Sequence, residues 1–397
     1  MEQGEVKEYT RILHMKDGIL ERKLTWTAPS GKVTEIHIFR LVSFARKNIM
    51  AIRYQVRPVN YAGTVEFVSK MQADVENHTR KTNPIVDYGP FGRRLDPDKV
   101  KAENDISYYE GTTKGSHLTV ACGSVHELWC DGQTVTDVNW MAEAGEMDTV
   151  SRVSLSAKEG ECVTLDKFIC YSTSLDMEKK KQDELAAAKS EGYEKLKEQQ
   201  KSYMQDFWKT ADVEIKGNEE LQQGLHFNLF HIIQSAGRDG KTGMGAKGLS
   251  GEGYEGHYFW DTEMYVLPVL IFTEPETARK LLDYRYATLP QARDRARILG
   301  HMKGALYPWR TINGEEASTY YPLGTAQYHI NADISYALSL YLQVTGDVDY
   351  LKEKGAEILI ETARVWADVG SFAECKGGKY CICDVTGPDE YNVLVDN

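Results

Sequence analysis

No stretch of this sequence reaches the ~18 uncharged apolar residues that a membrane-crossing helix needs; the longest candidate is the short segment from Tyr265 to Phe272. Positive charge is in deficit as well. With 47 Lys and Arg against 59 Asp and Glu, the formal net charge is -12. That disfavours a nucleic-acid backbone as partner, because phosphate binding depends on a basic surface and on the counterions it releases. A neutral sugar is compatible with this charge. The seven cysteines are odd in number and show no framework spacing, and the start of the chain lacks the basic, apolar and small-residue order of a secretion leader. These absences point to a reduced cytoplasm.

Several familiar chemistries are missing too. Cys381 and Cys383, with Cys375 nearby, have neither the second x2-spaced pair nor the added histidines of a structural zinc site. His257 and His329 have no partner at metal-ligand spacing and read as satisfied loop histidines. Ser250 is not the nucleophile of a G-x-S-x-G elbow, since Glu252 stands where the second glycine belongs. There is no phosphate-cradling G-x-x-x-x-G-K-[ST].

What is present is ordinary for a globular chain, at 42% hydrophobic and 27% charged residues, and 397 residues suffice for two cores and a connector. From Gly18 to about Ser174, short β-prone runs alternate with turn residues, among them Glu21 to Trp26, Val33 to Leu41, Ile49 to Val56, Thr64 to Met71, Ser116 to Cys122, Thr149 to Ser156 and Glu161 to Ser172. Many antiparallel strands without helices between them predict a β-sandwich over residues 1–175. Met177 to Trp208 is rich in Lys, Glu, Gln and Ala and contains no proline or β-branched residue, which predicts a solvated connecting helix within a linker spanning 176–216. The charge run Lys179 to Lys181 reads as an exposed face of it.

Residues 217–397 are mostly helical by pattern, with segments near Glu219 to Ser235, Phe259 to Phe272, Glu274 to Ala296, Ile330 to Thr345 and Val348 to Val369. Paired helices with long loops gathered between them suit an α/α barrel, whose loops at one end build a substrate cup. The expected fold class is therefore multidomain β + α: an antiparallel β-sandwich, a helical linker and part of an (α/α)6 barrel.

Three loop segments concentrate polar and aromatic residues. They are Gly251-Glu-Gly-Tyr-Glu-Gly-His-Tyr-Phe-Trp-Asp-Thr-Glu263, then Tyr307 to Glu316 continuing through Tyr320 to His329, and finally Thr386-Gly-Pro-Asp-Glu-Tyr391. A hexose has apolar CH faces and a rim of hydroxyls, so its site needs flat aromatic walls with carboxylates, amides and Arg around them. Acid cleavage of a glycosidic bond also needs a carboxyl group kept protonated near neutral pH. Glu390, after a Gly-Pro turn, is one carboxylate placed to serve, although on these grounds alone it is one among 59 acidic residues.

Taken together, in order and spacing, these three strings with Val395-Asp-Asn397 closely resemble the disaccharide phosphorylases of glycoside hydrolase family 65, and the resemblance extends over essentially the whole chain. It implies that Glu390 is the general acid, that Trp260 and Asp261 line the pocket of the transferred glucosyl unit, and that Trp309, Arg310, Glu316 and Gln327 contact sugar. The stretch Ser318 to His329 resembles the family's acceptor-side loop and is closer to members acting on kojibiose or nigerose than to those acting on maltose or trehalose. Further implications are an α-linked glucosyl disaccharide and inorganic phosphate as substrates, no cofactor or metal, no membrane or nucleic-acid partner, and a homodimer. Complete members extend beyond both ends of this sequence, so an internal fragment is expected, with phosphate-binding residues beyond Asn397. A trehalase-like hydrolase on the same scaffold and a non-catalytic sugar-binding piece are the competing expectations.

Overall fold

The computed structural model describes residues 3–77, 92–175, 181–251, 253–318, 324 and 327–388. They fall into two units, the first running to Trp208 and the second from Lys209. Among the described residues no helix is long and apolar enough to cross a membrane.

The strands of the first unit pair only antiparallel among the described residues. Its strands are β1 Glu5–His14, β2 Ile19–Thr27, β3 Val33–Val42, β4 Ile49–Pro58, β5 Gly63–Gln72, the two-residue β6 Glu76–Asn77 and β7 Gly92–Arg93, β8 Leu95–Glu103, β9 Ile106–Thr113, β10 Thr119–Cys130, the short β11 Gln133–Thr134, β12 Trp140–Ala144, β13 Asp148–Ala157 and β14 Val163–Thr173. The larger sheet runs β1-β2-β3-β4-β14-β10-β9-β8 with β11 beside β10, and the smaller runs β12-β13-β5. Period-2 alternation decides which face each residue covers. On one face Val56, Leu128, Val163 and Leu165 meet Val65, Phe67, Val153 and Leu155 of the smaller sheet, the sandwich expected from the sequence. Strands β1, β8 and β9 have no counterpart among the runs expected from pattern: β1 is exposed along most of its length, and charged residues interrupt β8.

Helix α1, Lys181–Ala211, covers the other face, and here the expectation of a solvated connector is corrected. Leu185, Ala188, Tyr193 and Leu196 are buried against Ile19, Leu41, Ile49, Ala51, Val125 and Phe168. The buried stripe continues through Gln200, Met204, Phe207 and Ala211, at three- and four-residue spacing. Ala and Gln supply part of it, and side chains with so little apolar surface leave the periodicity faint in the sequence. Gln200 gives its amide to the Gly18 carbonyl at 3.1 Å and accepts from the Phe44 N–H at 2.9 Å. At Gly192 the backbone takes φ 77°, ψ 164°, a conformation open to glycine and closed to side-chain-bearing residues, and the helix breaks there into two segments. Arg53 forks onto Asp166 at 2.8 and 2.7 Å and lies 4.4 Å from the Tyr193 ring, anchoring the second segment to β4 and β14.

The second unit is helical, with α2 Glu219–Ser235, α3 Leu267–Thr273, α4 Pro275–Ala287, α5 Leu289–Ile298, α6 His329–Thr345 and α7 Ala356–Val369. Asn218 caps α2 by accepting the Leu221 N–H at 3.0 Å. The segment expected as one helix from Glu274 to Ala296 is two. The chain leaves helical geometry at Thr288, and Pro290, which has no N–H to donate, sits in the first turn of α5. The segment expected from Phe259 opens instead with extended Tyr258 and a π-helical turn, Thr262–Val266. Leu267, Leu270, Leu281, Leu282, Ile330, Ile334 and Leu338 are buried within this unit, and Ala296, Leu306 and Val365 form a second cluster. Antiparallel sandwich-like sheets followed by helices is the fold class expected from the sequence.

Within the sandwich, His126 is 1% exposed. Its Nδ1–H donates to the Asp105 carbonyl at 2.7 Å, and its Nε2 lies 2.8 Å from the Ser69 hydroxyl. Burial pushes its pKa down to about 4 from an ordinary 6.5. The unfolded chain therefore binds a proton that the folded chain refuses, and stability falls as pH drops from 6.5 towards 4, by up to about 1.4 kcal/mol per pH unit. Urea unfolding followed at pH 7 and pH 5 should show a smaller acid-induced loss in His126→Gln than in the parent. Equal losses would remove His126 as the cause.

Candidate active site

The second unit brings two of the three motif loops together through backbone. Tyr258 and Thr311 form an antiparallel bridge, N–H to carbonyl at 2.7 Å one way and 3.2 Å the other. This sets Phe259 perpendicular to Trp309, with ring centroids 4.8 Å apart. Ahead of the bridge, Tyr254 and Glu255 both take left-handed φ, 60° and 48°. For residues with side chains that costs of order 1 kcal/mol each or more. The Glu255 carboxylate is bound there to the Arg310 guanidinium, a tie that holds the turn.

Glu316 organises the second loop. Its carboxylate accepts the N–H groups of Trp309 at 2.8 Å, Arg310 at 3.2 Å and Ser318 at 3.0 Å, and Arg295 lies at 3.1 Å. Burial pushes the Glu316 carboxyl up, while Arg295 and the three N–H groups pull the other way. Arg295 also donates to the carbonyls of Tyr307, at 2.5 Å, and Gly324. Trp309 is 9% exposed. Of the residues expected to contact sugar, Glu316 and Trp309 are thus engaged in shaping the loop that presents Arg310.

Trp260 and Asp261 stand at the start of the π turn. Asp261 is exposed and without a partner among the described residues, and Trp260 is half-buried. The Trp260 indole crosses the His329 imidazole at 87°, centroids 5.0 Å apart. Gln327 is buried beside them with its carbonyl on His329 Nε2. The structure therefore gathers Trp260 and Gln327 around His329, and Trp309, Arg310 and Glu316 in the adjoining loop. Glu390 lies outside the described residues, as do the neighbours of Gly324 in the acceptor-side stretch.

Beneath the turn lies a charge pair that sequence reasoning missed. Arg285 of α4 forks onto Glu263 at 2.7 and 2.9 Å, each side chain 2% exposed. Burial opposes the Arg285 charge, but Glu263 outweighs it and holds the guanidinium ionised. Tyr307 donates its hydroxyl to the Arg285 carbonyl at 2.8 Å, and Asn331 accepts the Tyr307 N–H at 3.0 Å while donating to Ala305 at 2.9 Å. Nothing in the spacing of Arg285 or Asn331 distinguishes them from surface positions on their helices. Flat rings, one guanidinium and free carboxylate and amide groups on a rigid base are the equipment for gripping a polyhydroxylated ring.

Two family models match the chain: Glycosyl hydrolase family 65, N-terminal domain, over residues 1–207, and Glycosyl hydrolase family 65 central catalytic domain over residues 226–397. Among curated relatives, an α,α-trehalose phosphorylase of Thermoanaerobacter brockii is 46% identical, over 100% of this chain and 51% of the relative. Another, from Geobacillus stearothermophilus, is 45% identical over 100% of this chain and 51% of its own length. A kojibiose phosphorylase of Halothermothrix orenii is 34% identical over 100% of the chain and 53% of the relative. The chain spans about half the length of the curated relatives it matches. A solved structure provisionally assigned as a kojibiose phosphorylase, from the human microbiome, superposes with a TM-score of 0.85 at 22% identity, covering 99% of this chain and 50% of that one, and shows the shared fold.

The buried pair sets a stability expectation. Glu263→Gln leaves the Arg285 charge uncompensated in the interior and should cost roughly 3–5 kcal/mol, whereas exposed Asp261→Asn should change stability by no more than about 0.5 kcal/mol. Denaturant midpoints of the two variants check this. Equal midpoints would show that the pair does not brace the turn.

Proposed function

The chain belongs to glycosyl hydrolase family 65, and from that premise we propose that the intact protein is an inverting disaccharide phosphorylase acting on an α-linked glucosyl disaccharide. The observation that carries this reading is the 46% identity to an α,α-trehalose phosphorylase across the entire chain, loops included. On this reading Trp260, Asp261, Arg310 and Gln327 grip the glucosyl unit, and Glu390 gives its proton to the bridging oxygen as the bond to the anomeric carbon breaks. Hydrogen phosphate attacks that carbon from the opposite face, and its remaining proton restores the acid. The products are β-glucose 1-phosphate and the released sugar.

Phosphate takes the place that an inverting hydrolase gives to a water and a basic carboxylate, in a gap between carboxyls of roughly 6.5–9.5 Å, so no protein base and no cofactor is required. The identities favour α,α-trehalose over the kojibiose- or nigerose-like substrate expected from the acceptor-side loop. The setting that goes with this reading is a homodimer in a reduced cytoplasm.

The intact protein, incubated with α,α-trehalose or kojibiose, should form glucose 1-phosphate only when phosphate is present. Free glucose released at the same rate without phosphate would instead mark a hydrolase. In Glu390→Gln the amide keeps the shape and loses the proton, so turnover should fall on the order of a thousandfold with sugar affinity retained.

A further inference from the structure

The two sheets of the first unit are unequal. The smaller one, β12-β13-β5, ends at β5, where Phe67 meets Tyr54 of β4 edge-on with centroids 6.1 Å apart, whereas the larger continues through β3, β2 and β1. The inner face of these strands is apolar: Leu24, Ile36 and Ile38 are buried, with Trp26, Ile52 and Tyr54 half-buried beside them. A cleft of about 290 Å³ separates this face from β5, lined by Trp26, Ile36, Tyr54 and Val56 on one side and Thr64 to Val68 on the other. It has room for on the order of ten waters, far more than a packing defect leaves between apolar walls.

Along this cleft β5 has an open edge, since among the described residues it pairs with β13 alone. The Ala73 N–H bonds the Met147 carbonyl directly across at 2.9 Å, continuing the register that sets Gln72 opposite Asp148. Alternate residues of an antiparallel strand turn their N–H and C=O groups to opposite edges, so Thr64, Glu66, Val68 and Lys70 aim theirs away from β13. Lys167 donates to the Lys70 carbonyl at 3.3 Å and closes that end. From Thr64 to Val68 neither proline nor a bulge interrupts the edge. Trp26 Nε1 is also buried without a hydrogen-bond partner. A row of outward ladder groups beside an apolar wall fits another strand, whose backbone pairs with the edge while every second side chain drops onto the wall.

The chain spans about half the length of the curated relatives it matches. Gly4 lies so close to the Trp26 indole that a side chain there would collide with it, so polypeptide joined ahead of β1 emerges beside the cleft. We propose that β5 receives a fourth strand of the smaller sheet, contributed by the segment of the intact protein that joins the chain ahead of residue 1 and lies along Thr64 to Val68. Its side chains alternate apolar with polar over about five residues, the apolar ones resting on Trp26, Ile36 and Tyr54.

Two measurements on the intact protein test this. Hydrogen exchange read by mass spectrometry should find the amides of Thr64, Glu66 and Val68 at least about a hundredfold slower than in unstructured chain, as paired ladder amides are. Val68 is 42% exposed on the outer face of the strand. Val68→p-benzoylphenylalanine should therefore cross-link on illumination to a cross-strand neighbour about 5 Å away. The expected product joins Val68 to a peptide preceding residue 1 of the same molecule, with no mixed-isotope product when labelled and unlabelled protein are combined. A cross-link to a second copy, to residues 78–91 or to any other part of residues 1–397 overturns the proposal. So does the absence of a cross-link, or exchange of the three amides near the unstructured rate.

Discussion

The second unit depends on one constraint: a fully charged ion pair, Glu263 with Arg285, is held almost entirely out of water directly beneath the turn that carries Trp260 and Asp261. Such a pair adds little net stability, because desolvation offsets most of the attraction, yet it tolerates few geometries. Its two parallel bonds dictate how α4 meets the π turn, and the Arg285 carbonyl passes the constraint to Tyr307 and so to Asn331. A π turn is itself rare, and here it gives the chain a sharp exit from extended Tyr258 into helix α3.

The loops above are held by the same device in other hands. Glu316 spends its whole carboxylate on three backbone N–H groups and Arg295, and Glu255 binds Arg310 from a turn in two successive left-handed conformations. Long loops that enclose a ligand must keep their backbone polar groups satisfied without regular structure. Buried carboxylates and guanidinium groups do this in place of a ladder, and among the described residues Asp261, Gln327, Trp309 Nε1 and Arg310 Nε keep hydrogen-bonding capacity that is not used locally.

In the first unit the comparable constraint is apolar. The central strand β14 is buried on both faces, between α1 and the smaller sheet, and Asp166 in its middle is tolerated because Arg53 forks onto it. The helix that covers this strand is built from alanine, glutamine and well-spaced large residues, so close approach to the sheet comes from small side chains as much as from hydrophobic ones.

Much of this is legible in the chain alone. Period-2 alternation in β3 announces a half-buried antiparallel sheet, and the glycine- and aromatic-rich strings announce loops with sugar-binding chemistry, because strand faces and turn chemistry are local properties of the chain. The role of α1 is not legible, since a stripe that includes Ala188, Gln200 and Ala211 has a pattern but little apolar surface to reveal it. Nor is the division of labour within the motifs. Glu316 and Asp261 are equally acidic on paper, and only the fold turns one inward onto the N–H groups of Trp309, Arg310 and Ser318 and leaves the other facing solvent. The sequence by itself determined most of the strands, helices and polar loops, though not β1, β8, β9 or the break between α4 and α5 at Thr288. The tertiary structure alone decided which charges pair, because a partner such as Arg285 for Glu263 lies 22 residues away and is selected by three-dimensional proximity, to which no local spacing rule has access.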